Sequence, residues 1–241
     1  MMNASGIPQP RVDLSRRERS LRELMDDPDC DPQRLHATLR RFDLVNRLVS
    51  GWGTVYRTRL RSLLAELPQP ARVLDIGSGG GDVVLRLAKL AERDGIEVQW
   101  AGVDPDPRAH RLAQDRQRPG VRFLCTDAET LLDRGETFDI VLSNHVLHHL
   151  DDGDLPSFAD TSRRLAHHVV YHGDIARGRL AYGLFAAGIT PLAPGTFLRT
   201  DGLRSIRRSY RRAELAAALG PEWEIEAPAP FRLLARGGGL A

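Results

Sequence analysis

Short apolar runs alternate with amphipathic stretches through the middle of the chain, between residues 71 and 173. The intervening segments, such as Asp82–Arg93 and the stretch after Pro105, show the spacing of helices. The first runs lack polar alternation, as expected when helices cover both faces of a parallel sheet. This rhythm predicts a doubly wound α/β fold. The five runs read ARVLDIG, VQWAGVD, VRFLCTD, FDIVLSN and HHVVYHG.

The two ends of the chain follow different patterns. Residues 15 to 67 carry apolar residues at helical spacing, and Pro68 and Pro70 close that stretch. We therefore expect residues 1–70 to form an N-terminal helical cap and residues 71–241 to form the main domain. A last helix over residues 212 to 219 and the runs WEIEA and FRLLA should complete the sheet.

Residues 175–208 interrupt the α/β rhythm and read as an insertion over the site. Residues 180–198 are uncharged, apolar and interrupted by glycine and proline, so no transmembrane segment is expected. Together with the helices around Phe42 to Trp52, they should cover an apolar pocket. An insertion packed on the sheet, or a segment lying on a membrane surface, are the alternatives.

Composition narrows the class of protein. The chain has 241 residues, 41% hydrophobic and 27% charged, with a formal net charge of +2. These values predict a soluble globular protein and argue against a strongly basic protein whose main role is to bind nucleic acid. Cys30 and Cys125 are far apart, which argues against a disulfide scaffold or a structural zinc site. With no apolar stretch after the first methionine to suggest a signal peptide, we expect a cytoplasmic location.

A glycine loop follows the first apolar run. The stretch Val73–Asp82 has the form acid-x-Gly-x-Gly-x-Gly, from Asp75 to Gly81. A nicotinamide fingerprint would need glycine where Asp82 stands, and that carboxylate would repel pyrophosphate. Asp104 ends the second run, where an acid suits the two hydroxyls of a ribose.

These motifs resemble the class I S-adenosylmethionine-dependent methyltransferases, from about Arg72 to Arg236. The resemblance implies a Rossmann-like seven-stranded sheet whose last strand is antiparallel, and S-adenosyl-L-methionine as cofactor. It also implies that the residue after the third strand, Asp127, accepts a hydrogen bond from the adenine amino group. The residues carried over as cofactor-binding are Asp75, Gly77, Ser78, Gly79, Gly81, Asp104, Pro105, Asp127, Ala128 and Asn144.

A second resemblance lies upstream. The stretch Phe42–Ser50 is similar to a segment of ubiquinone and menaquinone C-methyltransferases that covers the methionine end of the cofactor. It implies cofactor contacts for Asn46 and Arg59, although Gly51-Trp52-Gly53 departs from the glycine spacing of those enzymes. A structural cap and a surface arginine are the alternatives for these two residues. Residues 174–182 and 201–210 also resemble bacterial methyltransferases of aromatic polyketides or phenolic lipids.

Histidines follow the fourth and fifth strands, at the edge where open α/β sheets bind ligands. A neutral imidazole within reach of a phenol can take its proton during methyl transfer. We expect His149 to be this base, with His145 next, and a structural cap is the alternative for His149. The further candidates for the base are His148, His172 and Asp174. No metal is expected, because only Asn144 and Asp174 could serve as oxygen ligands.

These observations predict methyl transfer to a small hydrophobic aromatic molecule, phenolic or quinone-like, at oxygen or carbon, in secondary metabolism. An RNA or protein methyltransferase is the alternative, but the sequence after the fourth strand, Ser143–Val146, lacks the Asn/Asp-Pro-Pro-aromatic motif of base-methylating enzymes. A nicotinamide-dependent reductase is disfavoured by the glycine spacing. A cofactor-binding protein without catalysis stays open, as do the oligomeric state and the acceptor. No nucleic-acid partner is expected.

Overall fold

A computed structural model describes residues 12–241, so the N-terminal stretch on which the signal-peptide prediction rests lies outside the described residues. The described chain contains a seven-stranded sheet. The predicted runs all form strands. The strands are β1 (Ala71–Ile76), β2 (Val98–Val103), β3 (Val121–Leu124), β4 (Phe138–Asn144), β5 (Ala166–Ile175), β6 (Trp223–Glu226) and β7 (Arg232–Gly238).

The strand order is β3-β2-β1-β4-β5-β7-β6. Strand β7 runs antiparallel to both of its neighbours, which confirms the predicted α/β sheet with an antiparallel last strand. In the central register, Ile76 pairs with Val103 on one side and with Ser143 on the other. The loops after β1, β2 and β4 therefore leave the sheet at the same edge, which is where the chemistry-bearing residues meet.

Helices cover both faces of the sheet. Helices α2 to α4 share one apolar core with the strands, and α6, α7 and α10 share the other. The helices are α1 (Pro32–Val49), α2 (Trp52–Val55), α3 (Arg61–Glu66), α4 (Asp82–Arg93), α5 (Pro107–Gln114), α6 (Ala128–Asp133), α7 (Asp154–Arg164), α8 (Arg179–Gly188), α9 (Leu198–Arg208) and α10 (Arg212–Leu219). The predicted bounds of α4 and α10 are confirmed.

The expected helix over residues 15 to 31 is wrong. Residues 12–31 form turns and extended segments, and α1 begins only at Pro32. Proline at the first helical position does not lose a needed hydrogen bond, and the carboxylate of Asp31 accepts from the amides of Gln33 and Arg34 at 2.8 and 3.1 Å. Local capping thus fixes the start of the helix at residue 32.

Helices α2 and α3 are part of the main core, whereas the apolar face of α1 packs in smaller separate clusters. A left-handed turn at Gly51, with φ of 79°, reverses the chain after α1. Helix α2 then continues through a π-helical turn, Tyr56–Leu60, into α3. Trp52 and Tyr56 are fully buried against the sheet. The division of the chain at residue 70 stays a prediction, because both sides of it share one core.

The segment 175–208 is more regular than its glycines and prolines indicated. It contains α8 and α9, which pack on each other, with a short 3₁₀ turn, Thr190–Leu192, between them. Ile189 and Leu198 pack against Val45 of α1. Over residues 12–241, no helix has the length and hydropathy needed to cross a bilayer.

Candidate active site

The glycine loop between β1 and α4 builds one end of a cleft. Gly77 and Gly79 have φ of 70° and 54°, a region that favours glycine. A Cβ at Gly77 would lie 2.6 Å from a methyl of Val146, whereas one at Gly79 would meet only open space. The loop is thus packed at one glycine and open at the next. Gly81 does not line the cleft: a Cβ there would meet the ring of Phe123 at 2.4 Å.

Three carboxylates surround this loop, with Asp75 buried and Asp82 and Asp104 partly buried. Burial, with Asp82 and Asp104 nearby, raises the pKa of Asp75 to about 8, and its Oδ1 has no hydrogen-bond partner. Burial also raises the pKa of Asp82 and of Asp104. The amide of Gly79 donates to Asp104 Oδ2 at 2.8 Å. This end of the cleft is therefore suited to a cation and to hydroxyl donors.

Of the two residues predicted upstream, only Asn46 reaches the cleft. Its Nδ2 donates to Asp82 Oδ2 at 2.9 Å. Arg59 instead forms an exposed ion pair with Glu226 at 2.7 Å and does not line the cleft, so its predicted cofactor contact needs correction. The π-helical turn directs Arg59 away, and Arg57 and Arg86 line the cleft in its place.

The loops after β3 and β4 complete this end. Asp127 caps α6 by accepting from the amide of Thr130 at 2.7 Å, a contact that lowers the pKa of Asp127. The Asp127 carboxylate therefore caps a helix whether or not it also contacts a ligand. Ala128 and Pro105 line the same wall. Asn144 also lines the cleft, and its buried Oδ1 has no partner, so an acceptor atom stands free where β4 ends.

His145 is partly buried, lines the cleft and adopts a left-handed conformation, with φ of 63°. Its Nε2 lies 2.7 Å from a guanidinium nitrogen of Arg232. Burial, together with Arg232, holds the pKa of His145 well below its usual range. Since a guanidinium only donates, Nε2 must accept and the proton must sit on Nδ1. No basic nitrogen is then free, which speaks against the predicted base role of His145.

His148 lies between two carboxylates. Its Nδ1 is 2.7 Å from Asp174 Oδ1, and its Nε2 is 3.3 Å from Glu23 Oε1. Burial alone would lower the pKa of His148, but the two acids outweigh it and raise that pKa to about 9. Burial would raise the pKa of Asp174, but His148 holds it far below its usual range. His148 is thus charged at neutral pH and is not a base.

His149 is the accessible ring of this group, with its side chain 32% exposed. Its Nδ1 lies 3.3 Å from Asp26 Oδ2, and its Nε2 lies 3.6 Å from Glu23 Oε1. The ring lines the cleft. Glu23, Asp26 and Arg232 were missed from the sequence, because no local motif marks them and they join the histidines over more than 80 residues.

The fourth candidate histidine, His172, is buried away from the cleft. His172 Nδ1 hydrogen-bonds Ser143 Oγ at 2.7 Å, and its ring stacks on Trp223. Burial lowers the pKa of His172 to about 3. The residue does not line the cleft, so it is removed as a candidate base.

The other end of the cleft is apolar. The cavity measures about 1280 Å³, which exceeds the usual few hundred to thousand Å³ of small-molecule pockets. It leaves room for a cofactor and a second molecule together. The apolar wall comes from α1, α8, α9 and the loop between α8 and α9, through Phe42, Val45, Leu184, Phe185, Ile189, Leu192 and Leu198.

Comparisons with known proteins agree with this geometry. A family model described as a methyltransferase domain matches residues 73–168. Curated relatives include a demethylmenaquinone methyltransferase of Thermotoga maritima, 32% identical over 42% of this chain and 42% of that protein. Another is a ubiquinone biosynthesis O-methyltransferase of Mesorhizobium japonicum, 39% identical over 35% of this chain and 32% of that protein. The matches thus span less than half of either relative.

The plantazolicin methyltransferase BpumL, solved with a monoazolic desmethylPZN analog and SAH, has a similar fold, with a TM-score of 0.62 at 14% identity. That likeness covers 89% of this chain and 91% of BpumL. Residues 73–168 thus match a methyltransferase domain, and the chain is similar to the class I S-adenosylmethionine-dependent methyltransferases.

The residues of this methyltransferase domain fit its cofactor, S-adenosylmethionine. The cofactor carries a sulfonium, an amino acid group, a ribose diol and an adenine. The unpartnered oxygens of Asp75 and Asn144 are buried at the cleft, and Gly79, whose amide contacts Asp104, opens onto free space. Buried acceptors without partners are costly, and a ligand with donors and positive charge satisfies them.

Proposed function

We propose that this chain transfers the methyl group of S-adenosylmethionine to a small hydrophobic aromatic acceptor, phenolic or quinone-like, at oxygen or carbon. The observation that carries the proposal is the single cleft of about 1280 Å³ with an acidic end and an apolar end. A role in secondary metabolism and the covering of the acceptor by segment 175–208 belong to the same proposal. The quinone-linked names of two relatives support this acceptor class.

In this proposal the acidic end binds the cofactor. Asp104 accepts from the ribose hydroxyls, Asp75 and Asp82 face the positively charged methionine end, and Arg57 and Arg86 lie near its carboxylate. Burial and the neighbouring arginines lower the pKa of Arg86, which an anionic partner would relieve. The bound cofactor supplies an electrophilic methyl carbon, and the protein mainly holds the two reactants in line.

The acceptor then lies between α1 and α8, with its reactive group toward the histidines. We place the acid–base function at the cluster of Glu23, His148 and His149, with His149 as its accessible member. Its ring lines the cleft, whereas His145 is occupied by Arg232 and His172 lies elsewhere. The apolar lining supports a small molecule over the alternative of an RNA or protein acceptor.

The test is a screen with methyl-labelled S-adenosylmethionine and a panel of phenols and quinols, read by mass spectrometry. Asp104→Ala serves as the binding-deficient variant. It removes one acceptor for two hydroxyls and the contact to Gly79, so cofactor affinity should fall by about 1 to 3 kcal/mol in calorimetry. Transfer to RNA or protein with none to small molecules would overturn the acceptor class. Unchanged affinity in Asp104→Ala would overturn the binding mode.

A further inference from the structure

Three side chains of types that bind metal ions meet where the N-terminal segment, residues 12–31, lines the cleft. Glu23, His148 and His149 each bring a ligand atom within 4.8 Å of the others. Glu23 Oε1 lies 3.3 Å from His148 Nε2 and 3.6 Å from His149 Nε2. Both imidazoles therefore present the same ring nitrogen to the same carboxylate oxygen.

These separations match the edges of a metal coordination tetrahedron. Zinc binds histidine nitrogen and carboxylate oxygen at about 2.0 to 2.2 Å, so tetrahedral ligand atoms lie about 3.3 to 3.6 Å apart. Two histidines and one carboxylate are a ligand set of catalytic zinc sites, which keep one position open. Here all three residues line the cleft, so an open position would be accessible from it.

The hydrogen-bond partners of Glu23, His148 and His149 also resemble those of metal ligands. Metal-bound histidines usually donate their other ring nitrogen to a carboxylate, and bound carboxylates are themselves hydrogen-bonded. His148 Nδ1 lies 2.7 Å from Asp174, and His149 Nδ1 lies 3.3 Å from Asp26. Ser205 Oγ donates to Glu23 Oε1 at 2.6 Å. Each of the three therefore has the outer partner that a metal site requires.

The backbone and the charge balance also suit a cation. Arg208 donates to the carbonyls of His148 and His149 at 3.1 and 3.0 Å, which fixes the turn that carries both rings. Among the described contacts, the carboxylates of Glu23, Asp26 and Asp174 outnumber this one guanidinium. Metal binding would release the proton that His148 carries, and the divalent charge would then balance the excess negative charge.

We propose that Glu23, His148 and His149 bind a divalent transition-metal ion of the zinc class at the acceptor end of the cleft. Ion binding stands on this geometry alone, while the role of the ion rests on the proposed function. A divalent ion makes an oxygen ligand more acidic. An acceptor hydroxyl in the open position would lose its proton to solvent. Its oxygen would then bond to the methyl carbon, while the sulfur–carbon bond breaks and the sulfur keeps the electron pair.

The test is metal titration of tag-free, chelator-treated full-length protein. Co²⁺ binding is read from its visible absorption, and Zn²⁺ affinity from competition with a chromophoric chelator. We expect one ion per chain and a tetrahedral or five-coordinate Co²⁺ spectrum. Glu23→Gln keeps the size of the side chain and should weaken binding by on the order of a hundredfold or more. Asp26→Asn, which changes only an outer partner, should weaken it by about 10- to 100-fold.

His36→Ala is the matched control, because this histidine is exposed and distant from the cluster. It should bind the ion with unchanged affinity. No saturable binding, or equal binding in Glu23→Gln and its parent, would overturn the inference. If Glu23→Gln fails to fold by circular dichroism, His149→Ala replaces it. Calorimetry with S-adenosylmethionine on the same metal-free protein separates the two proposals, since cofactor binding without ion binding overturns only the metal site.

Discussion

At the residue scale, the sequence identified residues that line the acidic end of the cleft, but it missed Glu23, Asp26 and Arg232 beside the histidines. Asp75, Gly79 and Asp104 lie within or next to strand ends, so their order in the chain already fixes their order along the sheet edge. Arg232 and Glu23 contact the histidines from opposite ends of the chain, and no local spacing in the sequence indicates these contacts. Residues that belong to one local motif can be identified from the sequence. Contacts between distant segments can be identified only once the fold is known.

The raised pKa of Asp75 predicts how cofactor affinity depends on pH. With a pKa of about 8 in the folded protein, the carboxyl is mostly neutral at pH 7. The sulfonium favours the ionised form, so affinity should rise by up to about tenfold per pH unit between pH 6 and 8. Asp75→Asn should show a flatter profile in calorimetry. An equally steep profile in that variant would assign the dependence to another group.

The same carboxyl affects stability with the opposite trend. An acid whose pKa is raised on folding stabilises the protein fully below its unfolded value of about 4, and that stability is lost as the pH rises through about 8. In the absence of cofactor, Asp75→Asn should therefore lessen the fall in melting temperature between pH 5 and 8. Circular dichroism at several pH values measures this difference.

At the element scale, the strands were predicted well because each is a buried apolar run between turns. The first helix was placed too early because arginines and scattered leucines before residue 31 mimic a helical pattern. The N-cap residue Asp31 sets the start of α1 at Pro32. Asp31→Ala should lower the free energy of unfolding by about 1 kcal/mol in urea titration. Asp29→Ala is the control, because that exposed side chain caps no helix, and equal losses would contradict the capping role.

The wall formed by α8 predicts a specific defect in acceptor binding. Phe185 lies half-buried on this helix and lines the cleft. Phe185→Ala should raise the KM for a hydrophobic acceptor by about five- to thirtyfold, equivalent to roughly 1 to 2 kcal/mol of lost apolar contact, and leave cofactor affinity unchanged. Leu180→Ala on the same helix does not alter the cleft lining and should behave like the parent. A matched rise in both variants would point to a general loss of α8 packing.

At the scale of the whole molecule, two halves of the cleft have different origins. The sheet and its loops build the acidic end, and the pattern of apolar runs suffices to predict where those loops meet. The acceptor end is assembled from the N-terminal segment, α1, α8, α9 and the start of β7. Segment 12–31 has no helix or strand to reveal its place, so its packing depends on side chains from elsewhere.

One such side chain holds the N-terminal segment in place. Asp201 of α9 accepts from the amides of Leu24 and Met25 at 2.8 and 3.0 Å, and those two residues directly follow Glu23 in the chain. Asp201→Ala removes both contacts, which should cost about 1 to 3 kcal/mol because two amides lose a buried partner. Hydrogen exchange at Leu24 and Met25 should accelerate, and methyl transfer should fall, while cofactor affinity stays constant because Asp104 and the glycine loop lie elsewhere.

The matched control is Asp160→Ala, which removes an exposed carboxylate with only a 3.8 Å ion pair to Arg164. It should change neither exchange nor turnover. If Asp201→Ala lost cofactor affinity and acceptor turnover to the same extent, the N-terminal segment would support the whole cleft rather than its acceptor end. Selective loss of turnover would instead mean that a segment without regular structure completes the site, because it carries Glu23 and Asp26 to histidines more than 120 residues away.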